Sequence, residues 1–296
     1  MLEMADFFRG QPIDAIIRNR TSWRRFNGQP LAPEMRTQVE TLLAPEAGPF
    51  GNTVDIRLVT RKATTGSRPE KLGTYGFISG AREFLVGIVQ PTWPNIFEDF
   101  GYLMEKIILQ ATALGLGTCW LGGSFNKSAF ARAVALKPDE LIPAVVPLGY
   151  PTSKRGLRDR FIRAVAGSKN RKPWDELFFD HNPLKPLKKH QAGAFALPIE
   201  MVRLAPSASN RQPWRIILSD HSFHFYLQRT PGYTMPFKAD LQKVDLGIAM
   251  CHFELTARRH RLPGGWIMQK PDLTLPDDWT YIATWRSVAD SPTRDG

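Results

Sequence analysis

Three short stretches of this chain hold residue types at spacings that could do chemistry. Arg20, Ser22 and Arg24 alternate directly after an apolar segment. In an extended backbone, alternate residues share a face, so two guanidiniums and a hydroxyl there would clamp an anion such as a phosphate. The same cluster also reads as a basic surface turn. Further on, Pro206-Ser-Ala-Ser-Asn210-Arg-Gln212-Pro-Trp214 is a polar loop between apolar stretches. Its side chains and free backbone groups suit the edge of a planar heteroaromatic that offers both donors and acceptors. A plain helix end and turn, with Trp214 as core, is the other reading. The third stretch, Gly115-Leu-Gly-Thr-Cys-Trp-Leu-Gly-Gly123, lacks the P-loop lysine and follows a helical pattern instead of opening one. That excludes a nucleotide P-loop. Its glycines would let backbone approach a flat ligand closely, or simply stop a helix before a buried strand.

Other chemistries find no support. The chain has no Ser/His/Asp order, paired carboxylates or HExxH motif, and its six histidines are dispersed. His252 and His260 read as surface or structural residues. Missing acid–base groups fit a protein whose bound cofactor carries the reaction. Cys119 and Cys251 have no CxxC or Cys/His spacing, so a disulfide framework or zinc site is not expected, and two free thiols point to the cytoplasm. No apolar run is long enough to span a bilayer, and the first twenty residues show no secretory leader. The net charge of +11 favours anionic partners, but the basic residues are scattered, with short clusters at 185–190 and 258–261. No zinc-finger, basic-zipper or single-strand-binding pattern accompanies them.

These stretches must be positioned by regular elements. Residues 12–19 and 33–44 read as helices with proline in the first turn. Asp99–Leu116 carries Phe100, Leu103, Ile107, Ala111 and Leu114 at helical spacing and ends in glycines. Val54–Leu58, Phe84–Val89 and Ile142–Tyr150 read as strands, and residues 152–190 as a long basic connection with a helical turn near Trp174–Phe179. A polar loop is expected over 64–73. The second half repeats the theme: a helix to Leu204, strands at Arg215–Leu218 and Phe223–Leu227, a helix over Val244–Arg259, a strand at Ile282–Trp285 and a loose tail from Ser287. Helices and strands mix without βαβ alternation, so the fold class is α+β.

The halves also share sequence. Ala-Pro begins both 44–53 and 205–214, each between an apolar helix and an apolar strand. Asp99-Phe-Gly101 with Leu109 and Ala111 recurs as Asp245-Leu-Gly247 with Leu255 and Ala257 at identical spacing. This points to an internal duplication, with residues 1–183 and 184–296 intertwined as a pseudo-dimer in one polypeptide. The Arg-x-Ser-x-Arg cluster occurs only in the first half. Gly48, Phe50 and Gly51 stand in the first loop where the second has Ser209, Arg211 and Gln212. One site per chain, built jointly, is therefore expected.

In this order, the segments Arg20–Phe26, Asp99 with Ala113–Trp120, Pro147–Pro151, Arg171–Leu177 and Ala205–Trp214 resemble the nitroreductase family of flavoproteins. The resemblance implies a nitroreductase-like α+β fold with central, mostly antiparallel sheets flanked by helices, and FMN between the halves. It implies that Arg20, Ser22 and Arg24 hold the FMN phosphate and ribityl chain, with Thr21 in place of the usual basic residue. Leu121, Gly122 and Gly123 would lie near the isoalloxazine. Arg171 and Lys172 would close on the phosphate, and Pro206, Ser207, Ala208, Ser209 and Asn210 would reach the flavin from the second half. The expected activity is hydride transfer from NAD(P)H through FMN to a small electron-poor acceptor, a nitroaromatic or quinone. The chain would act as a monomeric pseudo-dimer, without nucleic acid or membrane. A flavin-binding protein without turnover, in storage or sensing, is the alternative, and a basic nucleic-acid binder a third reading.

Overall fold

The computed structural model describes residues 8, 10–61, 74, 76–152, 170–232 and 239–287. The expected loop at 64–73, most of the basic connection and the tail after Ser287 fall outside the described residues. Among them, the first half runs α1 (Ile13–Asn19), α2 (Pro33–Thr41), β1 (Asp55–Thr60), β2 (Glu83–Ile88), α3 (Ile96–Ala113), β3 (Gly117–Thr118), α4 (Lys127–Ala133), β4 (Val145–Gly149) and β5 (Phe178–Asp180). The second runs α5 (Ala196–Leu204), β6 (Trp214–Ser219), β7 (Ser222–Gln228), α6 (Leu241–Arg259), β8 (Gly264–Ile267) and β9 (Trp279–Ser287). The expected helices and strands appear with ends shifted by a few residues. Residues 174–176 form a 3-10 turn, matching the short helical turn expected near Trp174–Phe179, but Phe178 and Phe179 already belong to β5.

The strands form two sheets, ordered β1-β2-β4-β3 and β5-β6-β7-β9-β8. All neighbours are antiparallel except β5, which lies parallel to β6. The fold is α+β. Leaving β5 aside, both sheets follow the same succession of first, second, fourth and third strand. β5 comes from the chain before α5 and adds itself to the edge of the second sheet, tying the two halves together.

The two long helices, α3 and α6, pack against each other at the centre, and they meet at their glycines. A methyl group on Gly101 would sit 2.1 Å from the Val244 carbonyl oxygen, and one on Gly247 would sit 1.8 Å from that of Glu98. The contact is reciprocal, each glycine receiving the backbone three residues before the other. Only glycine permits such an approach. Both helices are buried on nearly every side. Each also carries a buried glutamate that accepts an indole N–H at 2.7 Å, Glu105 from Trp120 and Glu254 from Trp266. Tyr102 on α3 donates to Glu254 on α6 at 2.8 Å. No helix among the described residues is long and apolar enough to cross a membrane.

Gly101→Ala and Gly247→Ala should therefore each destabilise the fold by about 3 kcal/mol or more, the upper end for overpacking, because the obstacle is backbone. Gly265→Ala, where a methyl meets nothing within 4 Å, should change little. Denaturant unfolding of the three variants checks this.

Candidate functional site

The Arg-x-Ser-x-Arg segment is held extended from both sides. Arg20 closes the end of α1, its backbone N–H donating to Ile16 at 2.8 Å. Ser22 then bridges to Thr118 in β3, Trp23 N–H donates to the Thr118 carbonyl at 2.8 Å, and Phe26 N–H donates to Ser79 at 2.9 Å. So fixed, Arg20, Thr21, Ser22 and Arg24 line one wall of a cavity of about 600 Å³. That size lies within the usual range for small-molecule and cofactor sites.

The second-half loop, Pro206 to Asn210, lines the same cavity. Its shape is irregular and heavily bonded. Ser209, Asn210 and Gln212 all take positive φ, near 50°, which costs a non-glycine residue of order 1 kcal/mol or more each. The loop holds this shape through its own polar groups. Gln212 N–H donates to Ser207 Oγ at 2.9 Å, Gln212 Nε2 donates to the Asn210 carbonyl at 3.1 Å, and Asn210 Nδ2 donates to the Asn170 carbonyl at 2.8 Å. Ala208 N–H donates to Asp245 Oδ1 at 2.9 Å, anchoring the loop to α6.

Leu121, Gly122 and Gly123 complete the cavity with Leu241, Val244, Asp245 and Ile248 of α6. Leu121 is fixed by a reciprocal backbone pair with Val145 at 3.0 and 3.1 Å. A side chain on Gly122 would come within 2.6 Å of Leu241. The glycine thus lets the first half's turn settle on the second half's helix.

Arg171 lies in the same cavity. It donates to Asn210 Oδ1 and, at 3.0 Å, to the Leu204 carbonyl. Burial, followed by the nearby charges of Arg20 and Arg203, brings its pKa down to about 10. The Arg20 side chain is 8% exposed, and its buried Nε has no hydrogen-bond partner. Two half-buried guanidiniums that repel one another, one with a donor to spare, are an arrangement that an anion would relieve. Lys172 stands apart from the other expected residues. It is not among those lining the cavity, and its backbone N–H donates to Gln212 Oε1 at 2.8 Å.

Two features lay outside the motif reading. Asp245 faces the cavity with Oδ1 bonded and Oδ2 buried without a partner, whereas its counterpart Asp99 accepts from Phe50 N–H, Asn52 N–H and the Asn52 amide. The repeated Asp-x-Gly was the available signal. His252 is fully buried on α6, beside Glu105.

Residues 13–257 match the profile of a family described as "Putative TM nitroreductase". The chain belongs to this family. A solved Thermotoga maritima protein of similar description is 21% identical, with 93% of each chain covered and a TM-score of 0.58, a likeness of fold. An NADPH-flavin oxidoreductase of Vibrio harveyi is 24% identical over 186 residues, 57% of this chain and 76% of the relative. A Desulfovibrio desulfuricans protein of similar description, solved in complex with FMN, is 23% identical and matches 51% of this chain and 95% of its own, with a TM-score of 0.37. In this nitroreductase-family chain the cavity is lined by α6 and the 206–210 loop together with the end of α1, residues 20–24 and the glycine turn.

Burial pushes the Asp245 carboxyl well above the usual aspartate range, opposed by the hydrogen bond from Ala208 N–H and aided least by Asp240. Above roughly pH 4, the ordinary aspartate value, the unfolded chain thus binds fewer protons here than the folded one. This contribution to stability therefore falls as pH rises, until the folded carboxyl ionises. Asp245→Asn, which keeps the acceptor for Ala208, should be at least as stable as the parent at pH 7 and should lose part of that slope. Asp245→Ala should cost about 1–3 kcal/mol by orphaning the Ala208 N–H. Chemical denaturation across pH reads both, and equal losses in the two variants would contradict this assignment.

Proposed function

We propose that the chain is an FMN-dependent NAD(P)H oxidoreductase passing electrons to a small electron-poor acceptor of the nitroaromatic or quinone class. The observation that carries this reading is one cavity that brings two mutually repelling arginines, Arg20 and Arg171, together with a strained, donor- and acceptor-bearing loop. These are the needs of a ligand that carries both a phosphate and a polar heteroaromatic. Family membership supports it, as does the activity for which the Vibrio harveyi relative is named.

The residues present fit such a group. Arg20, Arg24 and Arg171 would neutralise the phosphate, with Ser22 adding a hydroxyl and Lys172 long-range charge. Thr21 and the turn Leu121–Gly123 would offer backbone to the flat ring, and Pro206, Ser207, Ala208, Ser209 and Asn210 would orient its polar edge. Leu241, Val244 and Ile248 exclude water from that side. When bound, FMN supplies the two-electron transfer between donor and acceptor that these side chains lack.

In this reading residues 1–183 and 184–296 act as the two subunits of an intrachain pseudo-dimer, in the cytoplasm. The reciprocal glycine crossing and the shared strand succession of the two sheets support it. Arg20→Ala/Arg24→Ala should weaken FMN binding at least a hundredfold while leaving the unfolding midpoint within a few degrees, since charge-assisted contacts contribute ~1.5–3 kcal/mol each. Fluorescence titration with FMN reads the affinity. Rapid anaerobic bleaching of the FMN-loaded protein by NADPH or NADH is the expected result. Binding of FMN without bleaching would replace this reading with storage or sensing.

A further inference from the structure

His252 lies fully buried between two acceptors. Its Nδ1 is 2.9 Å from the Met201 carbonyl oxygen, and its Nε2 is 3.0 Å from Glu105 Oε1. A carbonyl can only accept, so Nδ1 carries a proton. Nε2 and Glu105 Oε1 then need a second proton between them, because a carboxylate also only accepts. Glu105 Oε2 is already taken by the Trp120 indole N–H at 2.7 Å. On the cavity side, Arg20 Nε stands 3.8 Å from that same Oε1, in ion-pair range but without a hydrogen bond. Glu105 therefore sits between two cationic partners from opposite halves, His252 on α6 and Arg20 at the end of α1. Lys106, Glu46 and Glu254 are the other charges around this stretch, reaching the neighbouring Cys251.

We propose that His252 is a positioning residue for the anion site: as an imidazolium it takes up the charge of Glu105, which leaves Arg20 uncompensated and available to an anionic ligand. Resting on the FMN reading, this names what sets the strength of its phosphate contact. The two glutamate-bearing helices make the arrangement possible, since their crossing brings the second half's histidine to the first half's carboxylate. Without the imidazolium the nearest counter-charge for Arg20 is Glu105, and an incoming phosphate would have to compete with it. The chain thus offers a fixed cation whose strength is set from the other half of the molecule.

Two measurements test this. In the purified full-length protein without added ligand, the ¹⁵N spectrum of His252 at pH 7 should show both ring nitrogens protonated. An unprotonated Nε2 would place the proton on Glu105 and overturn the proposal, whatever the protein binds. In the second measurement, FMN and inorganic phosphate are titrated into four proteins: parent, His252→Gln, Glu105→Gln and the double variant. His252→Gln should weaken both probes about tenfold or more, the scale of one unneutralised charge a few ångströms from a partly buried ligand. Glu105→Gln should leave binding equal or tighter, and adding it to His252→Gln should restore the affinity. A purely structural role predicts instead that Glu105→Gln also weakens binding and that the double variant is worst, a result that would discard the proposal. Should the parent bind neither probe, the FMN reading fails, while the nitrogen spectrum still decides the state of His252.

Discussion

Everything in this structure depends on the crossing of α3 and α6 at Gly101 and Gly247. Two helices can approach to backbone contact only where neither carries a Cβ, and here each glycine lies under the other helix's carbonyl. That approach fixes three further arrangements. It sets Asp99 and Asp245 beneath their respective loops. It joins the two buried glutamates to partners on the opposite helix, Glu105 to His252 and Glu254 to Tyr102. It also makes α6 a wall of the cavity whose other walls come from the first half. A longer separation would uncouple all of these together.

From a near-symmetric frame the sequence builds an asymmetric site. The carboxylate of Asp99 is saturated by three donors from a loop in which Gly48 presses against it. Asp245 holds its loop by one donor and keeps an oxygen toward the cavity. The loop above Asp245 has Ser209 and Gln212 in left-handed conformations that their own hydrogen bonds maintain. The first loop uses Gly51 for its positive φ and so offers fewer side-chain polar groups. Basic residues follow the same division: Arg20 and Arg24 follow α1, and the second half has no such cluster.

Much of this was legible in the residue order, for physical reasons that can be named. The long helices declared themselves because 3.6-residue periodicity over four or five turns is hard to produce otherwise. β2 and β7 did so through dense β-branched and aromatic residues between turn signals. Lys127–Ala133 gave less signal than the equally short α1 because it buries only Ala129 and Phe130 in place of three isoleucines, although Asn126 caps it by accepting from Ala129 N–H at 3.1 Å. Three-residue β5 exists only because β6 lies beside it, and Gly264-Gly265 hid β8. In the site, the alternating clamp and the Ser-Asn-Gln loop were visible as residue types. Asp245 was visible only as half of a repeat. His252, which read as a surface or structural residue, turns out fully buried, because its meaning lies in a partner 147 positions away.

The central claim is that two similar halves make one anion-and-ring site. Counting released FMN per chain, after loading and desalting the full-length protein, tests it most directly. The account predicts one FMN per chain, lost on changing Arg20 and Arg24. Two per chain would show that the loop above Asp99 binds as well as the loop above Asp245, and none would contradict the flavin reading altogether.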